Sequence, residues 1–352
     1  MNDQKSDAFN NAGIYCREAK ECYLCGAVGR VVHKNLSDRL YGVSGKWNIM
    51  ACPACGLDWL NPRPLSKDAW KLYQSYYTHA KKKYPDFLYD IDRGLTCKAF
   101  NYESAQRKGA GYRIGQVLSF LGVIKEWAGS RVMWLNGPAG GSLLDVGCGS
   151  GSFLKRMSNF GWDTVGLETD QKAANIAQKT TGAKVIATTL ECAGLSPASF
   201  NAITMNHVLE HFVDPVEELR TCKTLLKKRG KLVIATPNAK SLGQKIFGAD
   251  WRGYDIPRHM FIFSQDSLLD CIRKAGLKPA KSMTIATSAW ETWTVSRLAQ
   301  TRLLTPERSR KMQLKGEGLA FWLFEYFANR LINCGEQMIA VAVHGDTEES
   351  GR

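Results

Sequence analysis

The stretch Leu143-Leu144-Asp145-Val146-Gly147-Cys148-Gly149-Ser150-Gly151-Ser152-Phe153 decides how the rest of the chain is read. An apolar run ending in an acid enters a loop with glycine at every second position, and a helix-like segment, 153–160, follows. That order describes a strand, a tight turn and a helix start, where backbone N–H groups come close to a ligand. A dinucleotide fingerprint, G-x-G-x-x-G, would need its third glycine where Ser152 stands. A pyrophosphate is poorly served by a carboxylate two residues before the loop, whereas a cationic ligand is well served. The loop therefore reads as a nucleoside site without phosphates.

Outward from the loop, strand and helix patterns alternate from Gly140 onward, which implies a parallel sheet with crossover helices. Strands are expected at 142–146, 163–167, 183–187, 200–205, 231–235, 278–286 and 337–344, which makes a seven-stranded, doubly wound α/β domain. Glu168 closes the second strand, where an acid can accept hydrogen bonds from two ribose hydroxyls. After the fourth strand comes Asn206-His207-Val208-Leu209-Glu210-His211-Phe212-Val213-Asp214-Pro215. His207, Glu210 and His211 stand at i, i+3 and i+4, so on a helical turn they share one face.

These motifs resemble the class I S-adenosylmethionine-dependent methyltransferases over about residues 140–345. The resemblance implies a Rossmann-like, mostly parallel sheet in which the loop of Gly147, Gly149 and Gly151 passes under the aminoacyl part of the cofactor. It also implies that Glu168 holds the ribose and Asp145 faces the cationic end, with Asn206 lining the same site. Where the family usually has an Asp near the adenine, this chain has Ala187-Thr188-Thr189-Leu190, leaving Thr189 to hydrogen-bond there. The segment 206–215 resembles the E-H-x-x-D-P signature of the ubiquinone-biosynthesis O-methyltransferase branch. Small-RNA 2′-O-methyltransferases hold a divalent metal with a similar E-x-x-E-H element and a later histidine. His207, Glu210, His211 and the downstream His259 are the corresponding second metal set here. Three readings of this cluster stand open: His207, His211 or His259 as a general base without metal, a metal that acidifies a substrate hydroxyl, or a structural role. Arg258 is either an anchor for a substrate anion or part of a structural ion pair.

The N-terminal part carries Cys22-Tyr23-Leu24-Cys25-Gly26 and Cys52-Pro53-Ala54-Cys55-Gly56. Two C-x-x-C-G knuckles present four thiolates and leave no open position, the pattern of a structural zinc ribbon. Asn61-Pro62-Arg63-Pro64 reads as an extended linker. With the ribbon, this linker and residues 236–263 included, the chain resembles bacterial methyltransferases that occur among enzymes for cell-surface polysaccharides and other secondary products. The organisation expected is a tail (1–15), the ribbon (16–64), a helical linker or cap (65–138) and the methyltransferase domain (139–345) with a helical insert (290–333). A helix is expected over 67–77, with Trp70, Tyr73 and Tyr77 as either a packed face or a stacking platform for a base. Helices over 96–135 should carry one apolar stripe, Val117, Leu118, Leu121, Ile124 and Trp127, covering the catalytic domain or touching a membrane.

Bulk properties bound the partners. An apolar fraction of 44% and 23% charged residues are ordinary globular values. No apolar run suits a transmembrane helix, and the first residues lack a basic start with an apolar core, so no signal peptide is expected. Eleven cysteines in such a chain point to zinc and buried thiols in the cytoplasm. A net charge of +14 favours anionic partners: nucleic acid, nucleotide-linked substrates or lipid head groups. The activity expected is in-line methyl transfer from S-adenosylmethionine to oxygen of a small molecule, sugar or cell-surface glycan precursor. The alternatives are a zinc-ribbon RNA methyltransferase and a non-catalytic protein that kept the fold.

Overall fold

The structure, a computed structural model, describes residues 8–73, 85–103, 109–137, 140–305 and 316–345. The elements before the glycine loop are β1 (Ala8–Asn11), β2 (Ile14–Arg17), β3 (Arg30–Leu36), β4 (Trp47–Ala51), β5 (Asp58–Asn61), β6 (Arg63–Pro64), α1 (Asp86–Phe100), α2 (Ala110–Leu118) and α3 (Gly122–Arg131). There follow β7 (Ser142–Val146), α4 (Ser152–Asn159), β8 (Asp163–Leu167), α5 (Gln171–Thr181), β9 (Lys184–Ile186), β10 (Phe200–Asn206), α6 (Pro215–Leu225) and β11 (Leu226–Pro237). The remainder is α7 (Leu242–Phe247), β12 (Phe261–Ile262), α8 (Gln265–Lys274), β13 (Leu277–Ile285), α9 (Ala289–Gln300), α10 (Gly316–Ile332) and β14 (Gln337–His344).

Seven strands form the main sheet in the order β13-β14-β11-β10-β7-β8-β9. Only β14 runs against its neighbours, pairing antiparallel with both β11 and β13. The chain winds from β7 through β8 to β9 on one side, then crosses back to β10 on the other. Ligands of such sheets bind beyond the strand C-termini at this switch point. Here the glycine loop after β7 and the histidine segment after β10 flank it. Local chemistry holds the crossovers in place. Asp170 caps α5 by accepting from the N–H of Lys172 and Ala173, and Asp214 caps α6 with Pro215 in the first turn.

Several expectations are corrected. Residues 8–15 are not a tail, because β1 and β2 form a hairpin in which Ala8 faces Arg17, and β2 pairs on to β6. The helix expected over 67–77 is a 3-10 segment, Ser66–Tyr73, and Tyr77 lies outside the described residues. The apolar stripe of 117–127 does not form a single face. The helix breaks between α2 and α3, leaving Val117, Leu121 and Trp127 exposed while Ile124 packs inward. The fifth strand starts earlier than its apolar core suggested, because Lys227–Arg229 continue the strand with their side chains exposed.

The cysteine-rich module is fused to the catalytic domain. β3, β4 and β5 make an antiparallel sheet whose edge is completed by β12, with Phe261 opposite Trp59 and Ile262 opposite Asp58. One apolar core therefore runs from Trp47, Ile49 and Trp59 through Phe261 and Phe263 to Met205 and Ile234 of the main sheet. Burial of large side chains on this scale is the main stabilising term. Polar ties reinforce it. The Tyr23 hydroxyl donates to Asp214 and accepts from the N–H of Val216 (3.2 Å), and Ser264 Oγ donates to the carbonyl of Cys55 (3.3 Å). Arg258, fully buried, donates to Asp38 of the ribbon (2.6 Å) and to Asp255 of its own loop (2.7 Å), with its guanidinium 4.6 Å from the Tyr41 ring centre. Arg258 is thus a structural pair rather than a free anchor for substrate. Removing one partner of a buried charge costs about 3–5 kcal/mol. Asp38→Ala should lower the urea midpoint by a corresponding amount, and an unchanged midpoint would show that this tie does not hold the module in place.

Candidate active site and thiolate cluster

The glycines do different work. Gly147 has φ +71°, and a Cβ there would sit 2.5 Å from Val208 Cγ2, so the histidine segment lies directly on the glycine loop. Gly151, φ +80°, leads into α4, and a Cβ there would strike Ala177 and Thr181 of α5. A Cβ on Gly149 would meet nothing within 4 Å, which leaves that part of the loop open to a ligand. The Gly149 N–H donates to Glu168 Oε2 (2.9 Å), and the other Glu168 oxygen accepts from the N–H of Asp170 (3.0 Å). A carboxylate with lone pairs to spare therefore stands at the end of β8, where a diol could approach. Asp145 is buried behind the loop, and its Oδ1 accepts from the Thr204 hydroxyl (2.7 Å) on the paired residue of β10. Burial pushes its pKa up to about 7; the Thr204 hydroxyl opposes this, while the Glu168 charge adds to it. Thr189 and Asn206 are both exposed, the latter as the last residue of β10. An open glycine turn, an accessible carboxylate and a buried acid that a cation would ionise fit S-adenosylmethionine, and these are the residues that could hold it.

The histidine cluster is built from two loops. In 207–211, His207 adopts φ +56° and the following residues form a 3-10 turn, Leu209–His211. Glu210 is fully buried, with Oε1 3.1 Å from His207 Nδ1 and Oε2 accepting from the Thr236 hydroxyl (3.0 Å). Burial alone would raise its pKa. The His207 hydrogen bond, and then electrostatic attraction to the surrounding histidines, overcome that and hold it at about 2, so Glu210 is an anion. His207 Nε2 lies 2.6 Å from Gln337 Nε2 of β14, so both of its ring nitrogens are engaged. His259 donates from Nδ1 to the carbonyl of Gly253 (2.7 Å), which turns Nε2 toward Glu210 and Asp255, each 3.9 Å away. Burial, and then the neighbouring His211, lower its pKa to about 4 despite the acids around it, so it is neutral near pH 7. His211 packs edge-on against it, ring centres 4.7 Å apart. Nδ1 of His211 lies 3.1 Å from the carbonyl of Arg258 and 2.9 Å from the Tyr73 hydroxyl. Among the described residues, its Nε2 has no hydrogen-bond partner.

The four predicted histidine and acid positions therefore meet, but unequally. Glu210, His211 and His259 bring their ligand atoms within 4.8 Å of one another, and His207 is turned aside to Gln337. Reading the sequence had missed Tyr73, Thr204 and Gln337 as neighbours of the site. Thr204 carried a signal, a lone hydroxyl inside an apolar strand. Gln337 carried none, since it enters from a strand far along the chain.

Cys22, Cys25, Cys52 and Cys55 converge as their spacing predicts, all four sulfurs within 4.8 Å of one another. The knuckles repeat one geometry: the N–H of Gly26 donates to the Cys22 carbonyl (2.9 Å) and that of Gly56 to the Cys52 carbonyl (3.2 Å). Closest sulfur pairs are 3.5 Å (Cys22–Cys55) and 3.4 Å (Cys25–Cys52). Tetrahedral zinc with Zn–S near about 2.3 Å sets sulfurs roughly 3.8 Å apart, so the set fits that ion. Cys16 and His33, the spare donors nearby, lie outside it.

The methyltransferase-domain family model matches residues 124–282. The ubiquinone biosynthesis O-methyltransferase of Cereibacter sphaeroides is 33% identical over 167 residues, covering 44% of this chain and 67% of that protein. The protein of the same name from Acinetobacter baylyi is 30% identical over 172 residues, covering 44% of this chain and 71% of that one. A solved S-adenosylmethionine-dependent methyltransferase from Mesorhizobium loti is 16% identical, spanning 62% of this chain and 97% of its own, with a TM-score of 0.42. The chain belongs to the class I S-adenosylmethionine-dependent methyltransferases. Within them it is related to the ubiquinone biosynthesis O-methyltransferases.

Two measurements check these sites. A cationic cofactor favours the ionised form of Asp145, so calorimetric affinity for S-adenosylmethionine should fall by up to about tenfold per pH unit as pH drops below about 7. Asp145→Asn should flatten that profile, and a profile identical to the parent's would remove Asp145 from the site. Elemental analysis should return one zinc per chain, lost in Cys52→Ser; retention of the metal in that variant would place the zinc elsewhere.

Proposed function

We propose that this methyltransferase acts on a hydroxyl oxygen of a small molecule, with a sugar or cell-surface glycan precursor as the acceptor class, and that His211 is the general base. The observation that carries this is the unclaimed Nε2 of His211, on the loop that Val208 packs against Gly147. The relatives' names, which specify O-methylation, support oxygen as the acceptor atom. S-adenosylmethionine, when bound, supplies a methyl group on a sulfonium. The chain's own part is to orient the acceptor and take its proton. The hydroxyl proton passes to His211 Nε2 while Nδ1 keeps its bond to the Arg258 carbonyl. Glu210, an anion nearby, stabilises the imidazolium that forms. Holding oxygen and methyl in line supplies much of the remaining acceleration. His211→Ala should reduce kcat by about 10²–10⁴ with cofactor affinity unchanged. Full activity in that variant would exclude His211 as base.

A second reading rests on the closeness of Glu210, His211 and His259. Both histidines turn Nδ1 to a backbone carbonyl, the orientation that presents Nε2 to a metal. Under that reading, a divalent ion beyond the zinc is found in the parent and lost in His259→Ala, and chelation at constant zinc content stops turnover. The RNA alternative has the net charge of +14 behind it. RNA binding that collapses with salt, together with a methylated RNA product, would put it first. A thiolate zinc site and cysteines carried as free thiols suit a reducing compartment, and we place the reaction in the cytoplasm.

A further inference from the structure

Helix α10 is built inside out. Its inward side carries polar anchors. The carboxylate of Glu325, fully buried, accepts from the N–H of Glu336 (2.7 Å). Asn329 donates to the carbonyl of Thr284 (2.7 Å) and accepts from its hydroxyl and from the N–H of Gly335 (2.7 Å). Phe321 and Tyr326 add a small apolar contact with Ala286 and Ala289. The outward row, by contrast, is Leu319, Leu323, Phe327 and Leu331 at i+4 spacing, with Phe327 65% and Leu331 85% exposed, and Phe324 beside them. A helix that faces water shows the opposite distribution.

A second exposed apolar group lies on the elements next to α10. A Cβ built on Gly122 would touch both Tyr326 and Arg330, so the start of α3 lies against α10. The turn just before it carries Phe120, 80% exposed, and Leu121, and the last turn of α2 carries exposed Val117. Isolated exposed apolar residues need no account, but a contiguous set spanning two elements marks an interaction surface. Its surroundings are basic. Arg330 stacks its guanidinium 4.0 Å from the Tyr326 ring centre, and Lys125 and Arg113 are exposed on α3 and α2.

We propose that the outward face of α10 and the α2–α3 turn form a docking surface for a bilayer carrying anionic lipid head groups. Apolar side chains enter the interface while the flanking lysine and arginine residues meet the head groups. A second copy of this chain fits less well, because a symmetric contact would set the basic rim against itself. Among the described residues no helix is long and apolar enough to cross a membrane, so the attachment is to one surface. The inference does not rest on the acceptor or base assigned above.

The test is flotation of the full chain with vesicles of phosphatidylcholine alone and of equal parts phosphatidylcholine and phosphatidylglycerol. The expected result is at least about tenfold more protein on the anionic vesicles, with the excess lost as salt is raised. Phe327→Ser combined with Leu331→Ser should abolish that binding while leaving affinity for S-adenosylmethionine unchanged, which reports that the variant is folded. Equal binding to both vesicles, no binding, or undiminished binding by the folded variant would each overturn the proposal. So would a dimer in sedimentation velocity that the double substitution dissolves, since the face would then belong to a second copy.

Discussion

The pairing of β12 with β5 is the constraint on which the site depends. A two-residue strand has little stability of its own, and its backbone groups need partners. Here those partners come from the cysteine-rich module: the N–H of Leu60 donates to the carbonyl of Met260 (3.0 Å), and the N–H of Met260 donates to that of Glu210 (2.8 Å). The Asp38–Arg258–Asp255 charges lock the same segment from the other side. His259 sits between these ties, so its position is set by residues outside the methyltransferase sheet. The cysteine-rich module, fused in this way, acts as a wall of the candidate site.

Electrostatics divide the site into two regions with opposite acid–base behaviour. Near the cofactor loop, Asp145 has hydroxyl help from Thr204 alone and a like charge nearby, so its carboxyl is held close to neutrality until a cation arrives. Around the histidines, Glu210 is surrounded by donors and stays ionised in a fully buried place. The first arrangement favours a positively charged ligand, and the second places a buried anion beside the histidines. The two regions touch through Val208 on Gly147, so residues that would hold a cationic cofactor stand next to the histidine cluster.

Much of the fold was legible because its signals are local. Positive φ at Gly147, Gly149 and Gly151 is a property of successive residues, and so is the turn at each C-x-x-C-G knuckle. Alternating apolar runs marked all seven strands of the sheet, with errors only at their ends. The expected tail failed at residues 8–15 because a short hairpin of ordinary residues is stabilised by its partner β6 rather than by its own pattern. The stripe of 117–127 failed because helical periodicity was read across a break at 119–121.

The sequence by itself determined the glycine loop, the four-thiolate set and the residue types of the histidine segment, since each depends on residue type at short spacing. Which histidine keeps a nitrogen open was decided only by tertiary structure. Gln337 reaches His207 across 130 positions of chain, and Asp38 reaches Arg258 across 220. The same holds for α10, whose inward and outward sides are distinguished by what it packs against and not by its composition. Hydrogen-bond partners and solvent exposure are assigned by neighbours in the sheet, and sheet order differs from chain order.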